Sequence, residues 1–447
     1  MKAEQQYIDL YHQCKAMIDK HSAEVMNGAR AKAFDDFCAQ GFPTRKVEKY
    51  KYTDVGELFA PDYGLNLNRL DIPVNPYDVF KCDVPNMSTS LYFMLNDGFY
   101  EKELPKASLP EGVLLGSLKN IASTHPELVA RYYGKLADTS KDAVTALNTM
   151  LAQDGFFVYV PKGVVIERPI QLINMLHSAV DFMTNRRILV ILEEGAQMKL
   201  LVCDHAMDSV KFLSTQVIEV FAGANSMFDL YELEETHNNT VRFSNLYVHQ
   251  EAGSNVLLNG VTLHNGITRN MTEVTLDGPG AEIKMLGMAI EDKQQRVDNN
   301  TFIEHRAAHC ISNELYKYVL DDSSVGAFAG KVLVQKGAQH TSSQQTNRNL
   351  CATREARMYT QPQLEIYADD VKCSHGATVG QLDENALFYM RQRGISEREA
   401  RMLLMFAFVN EVIDEIRLDA LKDRLHLLVE KRFRGELDKC RGCVLCK

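Results

Sequence analysis

The spacing of apolar positions changes twice along the chain. In residues 3–40 they recur at three and four: Tyr7, Ile8, Tyr11, Cys14, Met17 and Ile18 mark one face of a helix. From about Ser22 a second helix carries Val25, Met26, Ala31, Ala33, Phe34, Phe37 and Cys38. Gly41 supplies a left-handed stop, and Pro43 prevents continuation. Residues 43–150 are mixed. Ile72-Pro73-Val74-Asn75-Pro76 reads as a connector, and Asn96-Asp97-Gly98 as a turn between two apolar strands. Helical character returns around Ala122–Leu136 and Ala143–Leu151.

From about Gly155 to Asp370 the period falls to two. Phe156-Phe157-Val158-Tyr159-Val160 and Ile188-Leu189-Val190-Ile191-Leu192 are typical strands, each followed by a turn with Gly or Ser. Glycine recurs in these turns at 163, 195, 223, 253 and 278, in steps of 32, 28, 30 and 25. Later turns are Asp321-Asp322-Ser323-Ser324 and Lys336-Gly337-Ala338. A repeat that is all strand, with no helix to cross over, predicts a solenoid whose units stack to bury their faces. A right-handed parallel β-helix meets that need. An antiparallel sandwich is the alternative, but its turns recur every ~8–12 residues and it is rarely this long.

Helical spacing returns from Ser396. Ser396 and Glu399 form a capping box. Met402 to Val409 is apolar all round, which predicts a helix buried on more than one side. A second helix keeps Leu418, Leu421, Leu425, Leu428, Val429 and Phe433 on one stripe and places Lys431, Arg432 and Arg434 on its exposed side, before Gly435. The expected organisation is mainly β: an N-terminal helical and mixed region over 1–154, a β-helix core over 155–380, and a C-terminal helical region over 381–447.

Composition narrows the function. Lys plus Arg is 49 and Asp plus Glu is 59, a net charge of −10, which gives no electrostatic footprint for nucleic acid. No run of ~18 uncharged apolar residues exists to span a membrane. The N-terminus lacks an apolar signal-peptide core, so a cytoplasmic protein is expected. Seven of the ten cysteines are widely scattered, as free thiols are in a reducing compartment.

Common catalytic signatures are missing. There is no Gly-x-x-x-x-Gly-Lys-Ser/Thr loop, no Gly-x-Ser-x-Gly elbow and no His-Glu-x-x-His pair. His305 and His309 would share a helix face, but their segment reads as strand and loop, which favours packed or solvated histidines. The densest chemistry lies in 363–380. Cys373 and His375 are two apart, so on a strand both point to one face. A thiolate beside an imidazole suits a soft or borderline metal; the alternative is a buried thiol next to a hydrogen-bonded histidine. Cys440, Cys443 and Cys446 form Cys-x-x-Cys-x-x-Cys, part of a zinc or iron–sulfur ligand run that lacks a fourth local ligand. Lys439 and Arg441 would favour thiolates there, and a frayed reactive tail is the alternative.

Two stretches resemble the SufB/SufD family of iron–sulfur cluster assembly proteins. One is Gly41-Phe42-Pro43-Thr44-Arg45-Lys46-Val47-Glu48-Lys49-Tyr50-Lys51-Tyr52-Thr53. The other runs from Leu364 through Cys373-Ser374-His375-Gly376-Ala377-Thr378-Val379-Gly380 to Asp383-Glu384-Asn385-Ala386-Leu387-Phe388-Tyr389-Met390-Arg391-Gln392-Arg393-Gly394-Ile395. The Cys-Ser-His-Gly-Ala-Thr-Val-Gly version looks most like SufD, a SufB-like paralogue being the alternative within the family. Two departures stand out: Tyr50 replaces the usual Trp, and the triple-cysteine tail is outside the family pattern. The resemblance implies a non-catalytic scaffold subunit of a SufBCD-type complex. It implies a SufB-like partner at the β-helix end, or a homodimer in isolation, and a SufC-like ATPase on the C-terminal helices. It makes His375, with Cys373 beside it, the candidate ligand of a transient iron–sulfur cluster at the subunit interface. A carbohydrate-active β-helix enzyme is the rival from another class; it would need catalytic groups along a lateral groove, and usually secretion.

Overall fold

The computed structural model describes residues 3–80, 89–105 and 109–436. The three-four spacing places the first two helices correctly: α1 (Ala3–Lys20) and α2 (Glu24–Gln40). Gly41 ends α2 at φ +60°, its N–H bonded to the carbonyl of Phe37. Short helices α3 (Val55–Phe59) and α4 (Pro76–Val79) follow. Strands β1 (Ser90–Leu95) and β2 (Gly98–Phe99) form the expected hairpin, with Met94 opposite Phe99. Strand β3 (Leu114–Ser117) comes next. The helix expected over Ala122–Leu136 is two, α5 (Leu118–Thr124) and α6 (Pro126–Tyr132). Pro126 lacks an N–H and disfavours the helical region for His125, which sits at φ −130°, ψ 58°. Helix α7 (Ala143–Leu151) matches its expected span, and Asp142 caps it by accepting from the Thr145 N–H at 2.8 Å.

Sixteen strands follow. The first eight are β4 (Phe156–Val160), β5 (Ile170–Leu176), β6 (Phe182–Leu192), β7 (Gln197–Ala206), β8 (Phe212–Ala222), β9 (Met227–Glu235), β10 (Thr240–Gln250) and β11 (Asn255–His264). The rest are β12 (Ile267–Leu276), β13 (Glu282–Glu291), β14 (Arg296–His305), β15 (Ile311–Leu320), β16 (Val325–Val334), β17 (Ser342–Cys351), β18 (Arg357–Ile366) and β19 (Lys372–Gly380). Even-numbered strands pair in parallel in one sheet and odd-numbered strands in the other. The result is a parallel β-solenoid of about eight turns, not a sandwich. β1 pairs in parallel with β5, so the stack begins inside the region assigned to 1–154 by sequence.

A column of left-handed turn residues runs along the stack. Gly163, Gly195, Asn225, Gly253, Gly280, His309 and His340 have φ of 70°, 69°, 56°, 65°, 72°, 62° and 59°. Each donates its N–H to a carbonyl of the next turn, from Gly163 to Glu194 at 2.8 Å through His309 to Gln339 at 2.9 Å. Gly163, Gly195 and Gly253 of the glycine repeat belong to this column, whereas Gly223 and Gly278 each sit two residues before it. Asn225, His309 and His340 complete it; Asn and His tolerate positive φ better than most residues.

Three layers of apolar contact hold the molecule. The lumen buries Val158, Val190, Val220, Val248, Val274, Ile303 and Val332 between the sheets. The outer face of the even sheet buries Met183, Leu213 and Phe243 under α1, α2, α3 and α7. The outer face of the odd sheet buries Leu257, Val261, Leu286, Met288 and Val319 under the C-terminal helices. These are α8 (Glu384–Gln392), α9 (Glu397–Asp414) and α10 (Asp419–Arg434). Ser396 caps α9, accepting from the Glu399 N–H at 3.2 Å. Helix α9 packs on the odd sheet, on α8 and on α10: Met402 and Val409 are buried, Leu404, Met405, Phe406 and Phe408 are partly buried against the same cluster, and Leu403 is 40 % exposed.

Arg432 overturns its expected place on the exposed side of α10. It is 8 % exposed and bonds Leu263 O at 2.6 Å, Asp292 Oδ2 at 2.6 Å, Gln295 Oε1 at 2.9 Å and Ile290 O at 3.2 Å. A guanidinium satisfied on all sides by strand ends is a docking pin, not a solvated charge. The C-terminal helices are therefore part of the solenoid's packing.

Glycines inside the stack test this geometry. A Cβ at Gly278 would lie 2.0 Å from the backbone N of Ala252, whereas one at Gly376 meets nothing within 4 Å. Gly278→Ala should cost about 1–3 kcal/mol or more, since backbone cannot move aside as a side chain does. Gly376→Ala should leave the urea midpoint near wild type. Equal midpoints for the two variants would contradict the stacking.

Candidate functional site

The two ends of the solenoid differ. At the N-terminal end the sheets finish on β2 and β3, antiparallel strands of two and four residues. Short edges of that kind resist further pairing. At the other end the outermost strands are β18 and β19, ten and nine residues long, each paired on one side only among the described residues. Every residue of β19 except Cys373 is exposed.

Cys373 and His375 both lie on β19 and share its lumenal face, as their spacing requires. Register places Cys373 over Ser343 and His375 over Gln345. Their surroundings differ. Cys373 is half-buried and, with Val371, packs on the lumenal core. Burial pushes its thiol up, which works against the thiolate expected beside the imidazole. His375 stands exposed at the edge. Among the described residues no three of His, Cys, Asp or Glu form a metal-binding group. Cys440, Cys443 and Cys446 lie outside the described residues. The other candidate histidines have structural places. His305 is buried and bonds Ser312 Oγ at 2.8 Å, and the His309 ring stacks on His340 with centroids 4.7 Å apart.

The lumen turns polar, which alternation of apolar residues did not reveal. Arg186 bonds Asp204 at 2.7 Å, and Arg242 joins Asp204 at 2.9 Å and Glu232 at 2.9 Å. Burial alone would raise Asp204, but Arg242 and Arg186 outweigh it and hold the carboxyl below its usual range. Nearer the open end Glu314 has no cationic partner. Burial pushes it up to about 7. Gln345 Nε2 donates to its Oε2 at 2.6 Å. A sequence signal existed for both: a Glu and a Gln at inward positions of otherwise alternating strands.

The N-terminal motif is a strap across the outer face of the even sheet. Tyr50 is buried, its hydroxyl on the Asp142 carboxylate and the Arg269 guanidinium over its ring at 5.1 Å. Lys49 reaches Glu273 at 2.8 Å and Thr53 reaches Asp298 at 2.6 Å. Tyr52 stacks on Tyr359 of β18 with ring centroids 4.6 Å apart, and Gln363 donates to Glu48 at 3.1 Å. The strap thus braces the rung that carries the free edge, beside the second motif.

A parallel solenoid capped at one end, with an outer edge at the other that pairs with nothing among the described residues and carries an imidazole, defines the class: a β-solenoid protein with one open end. Comparison with known proteins gives the family. Residues 1–172 match the SufBD protein N-terminal region, and residues 175–408 match the SufBD core domain of the SUF system for FeS cluster assembly. The chain belongs to the SufBD family. It is similar to the iron–sulfur cluster assembly SufBD family protein slr0076 of Synechocystis, 29 % identical over 94 % of this chain and 93 % of the relative. It is also similar to the iron–sulfur cluster assembly protein SufD of Escherichia coli, 28 % identical over 88 % of this chain and 90 % of the relative. SufD of Bacillus subtilis is 24 % identical over 94 % and 97 %. Family membership displaces the carbohydrate-active reading. No helix among the described residues is long and apolar enough to cross a membrane.

Glu314 gives a pH test of the lumen. Its folded value lies above the ordinary 4.5, so the fold holds the proton more tightly than the unfolded chain does. Its contribution is most favourable below about 4.5 and is lost as pH rises through about 7. Glu314→Gln removes that loss and can keep the bond to Gln345. The variant should gain on wild type from pH 5 to pH 8 by up to about 3 kcal/mol, read from urea midpoints. A difference that does not change with pH would show that Glu314 is not the buried acid described.

Proposed function

We propose that this chain is a non-catalytic scaffold subunit of a SufBCD-type complex that builds iron–sulfur clusters. It pairs with a SufB-like subunit through β18 and β19, and with a second copy of itself when that partner is missing. The observation that carries this reading is the long unpaired edge bearing His375. A free parallel edge is a site for strand addition, and the imidazole on it is a competent ligand near neutral pH. The nascent cluster is cargo held between two chains. His375 contributes one ligand; Cys373 is a second only after losing its proton, and the partner supplies the rest. The Cys440, Cys443 and Cys446 tail is read as a separate zinc or cluster site completed from elsewhere.

His375→Ala should fold, melt near wild type and bind its partners, yet lose iron and sulfide from the reconstituted complex. Full cluster content in that variant would remove His375 from the mechanism. The same assay on a chain ending at Asp438 tests the tail, since unchanged metal content there would leave the three cysteines without this role.

The SufC-like ATPase is placed on the uncovered sides of α9 and α10. Leu403 and Leu427 are 40 % and 42 % exposed there, and Phe406 meets His426 with ring centroids 5.6 Å apart. Removing the helices is a poor test, because it would strip the apolar outer face of the odd sheet. Leu403→Asp with Leu427→Asp leaves that packing alone. The double variant should weaken ATPase capture at least about tenfold without lowering the melting temperature, as loss of interface anchors does. Undiminished capture would move the docking site elsewhere.

A further inference from the structure

His375 is the top of a stack that runs down one column of the lumen. Register places it directly over Gln345, and Gln345 directly over Glu314. Gln345 and Glu314 are 1 % and 3 % exposed. The bond from Gln345 Nε2 to Glu314 Oε2, at 2.6 Å, sets which way the amide faces. Its nitrogen is also confined from the opposite sheet, since a Cβ on Gly330 would come within 2.4 Å of it. The amide oxygen, Gln345 Oε1, is buried with no hydrogen-bond partner. A buried acceptor left unpaired is costly, and such groups nearly always have a donor. Parallel neighbours lie about 4.8 Å apart, so the imidazole of His375, next in register above Gln345, is within reach of that oxygen by a side-chain rotation.

We propose that Gln345 is a positioning residue for His375: its Oε1 accepts one imidazole N–H, which fixes the tautomer and turns the other ring nitrogen, with its lone pair, across the open end. Ligand histidines commonly donate their second N–H to a carbonyl or carboxylate, and this fixes ring orientation. An amide suits this place. It takes the proton's hydrogen bond without the negative charge that would favour imidazolium and spoil the ligand. Glu314 serves the amide, not the imidazole, by giving its nitrogen an acceptor. The assignment rests on reading His375 as a ligand for shared cargo, but the fixed tautomer does not need the cargo to be present.

Long-range proton–nitrogen spectra of the full chain with 15N-labelled histidine test this directly. The His375 signals are found by comparison with His375→Gln. Wild type should show one neutral tautomer of His375, preferred by about tenfold, the worth of one good hydrogen bond. In Gln345→Met the preference should relax to that of a solvated histidine while the melting curve stays cooperative. A solvent-like mixture in wild type overturns the proposal, and that spectrum decides even if Gln345→Met does not fold. A fixed tautomer that survives in folded Gln345→Met overturns it too. A fixed tautomer lost in Gln345→Met, with cluster content intact in His375→Ala, keeps the positioning and removes the ligand role. A solvent-like mixture with cluster content lost in His375→Ala does the reverse.

Discussion

Every turn of this solenoid satisfies its backbone only through the turns on either side. Parallel strands cannot close a stack on themselves, so two ends must always be dealt with. The chain treats them oppositely. At the start it folds β2 and β3 back as short antiparallel edges. At the finish it leaves β18 and β19 long, each with an outer edge that pairs with nothing among the described residues. The site follows from that asymmetry, because a free edge is where a second chain's backbone can bind and where side chains of both chains can meet.

Apolar burial on both outer faces makes the open edge affordable to the rest of the molecule. The N-terminal helices cover the even sheet and the C-terminal helices cover the odd one, and among the strands β19 is the one exposed along nearly its whole length. Ionic anchors sit where these layers join. Arg187 pairs with Glu219 at 2.7 Å, both side chains 1 % exposed, and Glu219 also accepts the N–H groups of Gly134, Leu136 and Ala137. Such a pair is tolerable in the interior because its lone pairs and protons are satisfied. Arg432 does the same for α10. The strap from Lys49 to Thr53 ties the N-terminal layer along the even sheet as far as β18.

Much of this was legible in the sequence. Period-two strands, glycine turns and absent crossover helices gave the solenoid, because in a stack each of those features has a fixed backbone cause. His375 was legible as a chemical residue on a strand at the end of that run. The remainder was hidden for physical reasons. Asn225, His309 and His340 take left-handed turns without being glycine, so the turn column runs past the visible glycine repeat. A helix stripe does not say that Arg432 reaches past it to strand ends. Spacing brings Cys373 and His375 to one face but is silent on burial, and burial is what sets a thiol pushed up apart from an exposed imidazole. The family motifs marked residues, and only packing showed that the first motif braces the rung beside the second.

The column beneath His375 turns from apolar to polar before it reaches the edge. In register it reads Ile170, Leu200, Leu230, Leu258 and Met285, then Glu314, Gln345 and His375. Five apolar turns supply cohesion, and three polar ones follow at the end. Were polarity only a response to water, it should begin where exposure begins, yet Glu314 and Gln345 are 3 % and 1 % exposed. Burying a carboxyl and an amide there is unfavourable unless they are hydrogen-bonded, and the bond between them still leaves Gln345 Oε1 without a partner. The residue they can act on is the one that follows in the stack. On the proposed role of Gln345, the cost in the last buried turns is preorganisation of the first exposed one, with the apolar turns below providing the stability that allows it.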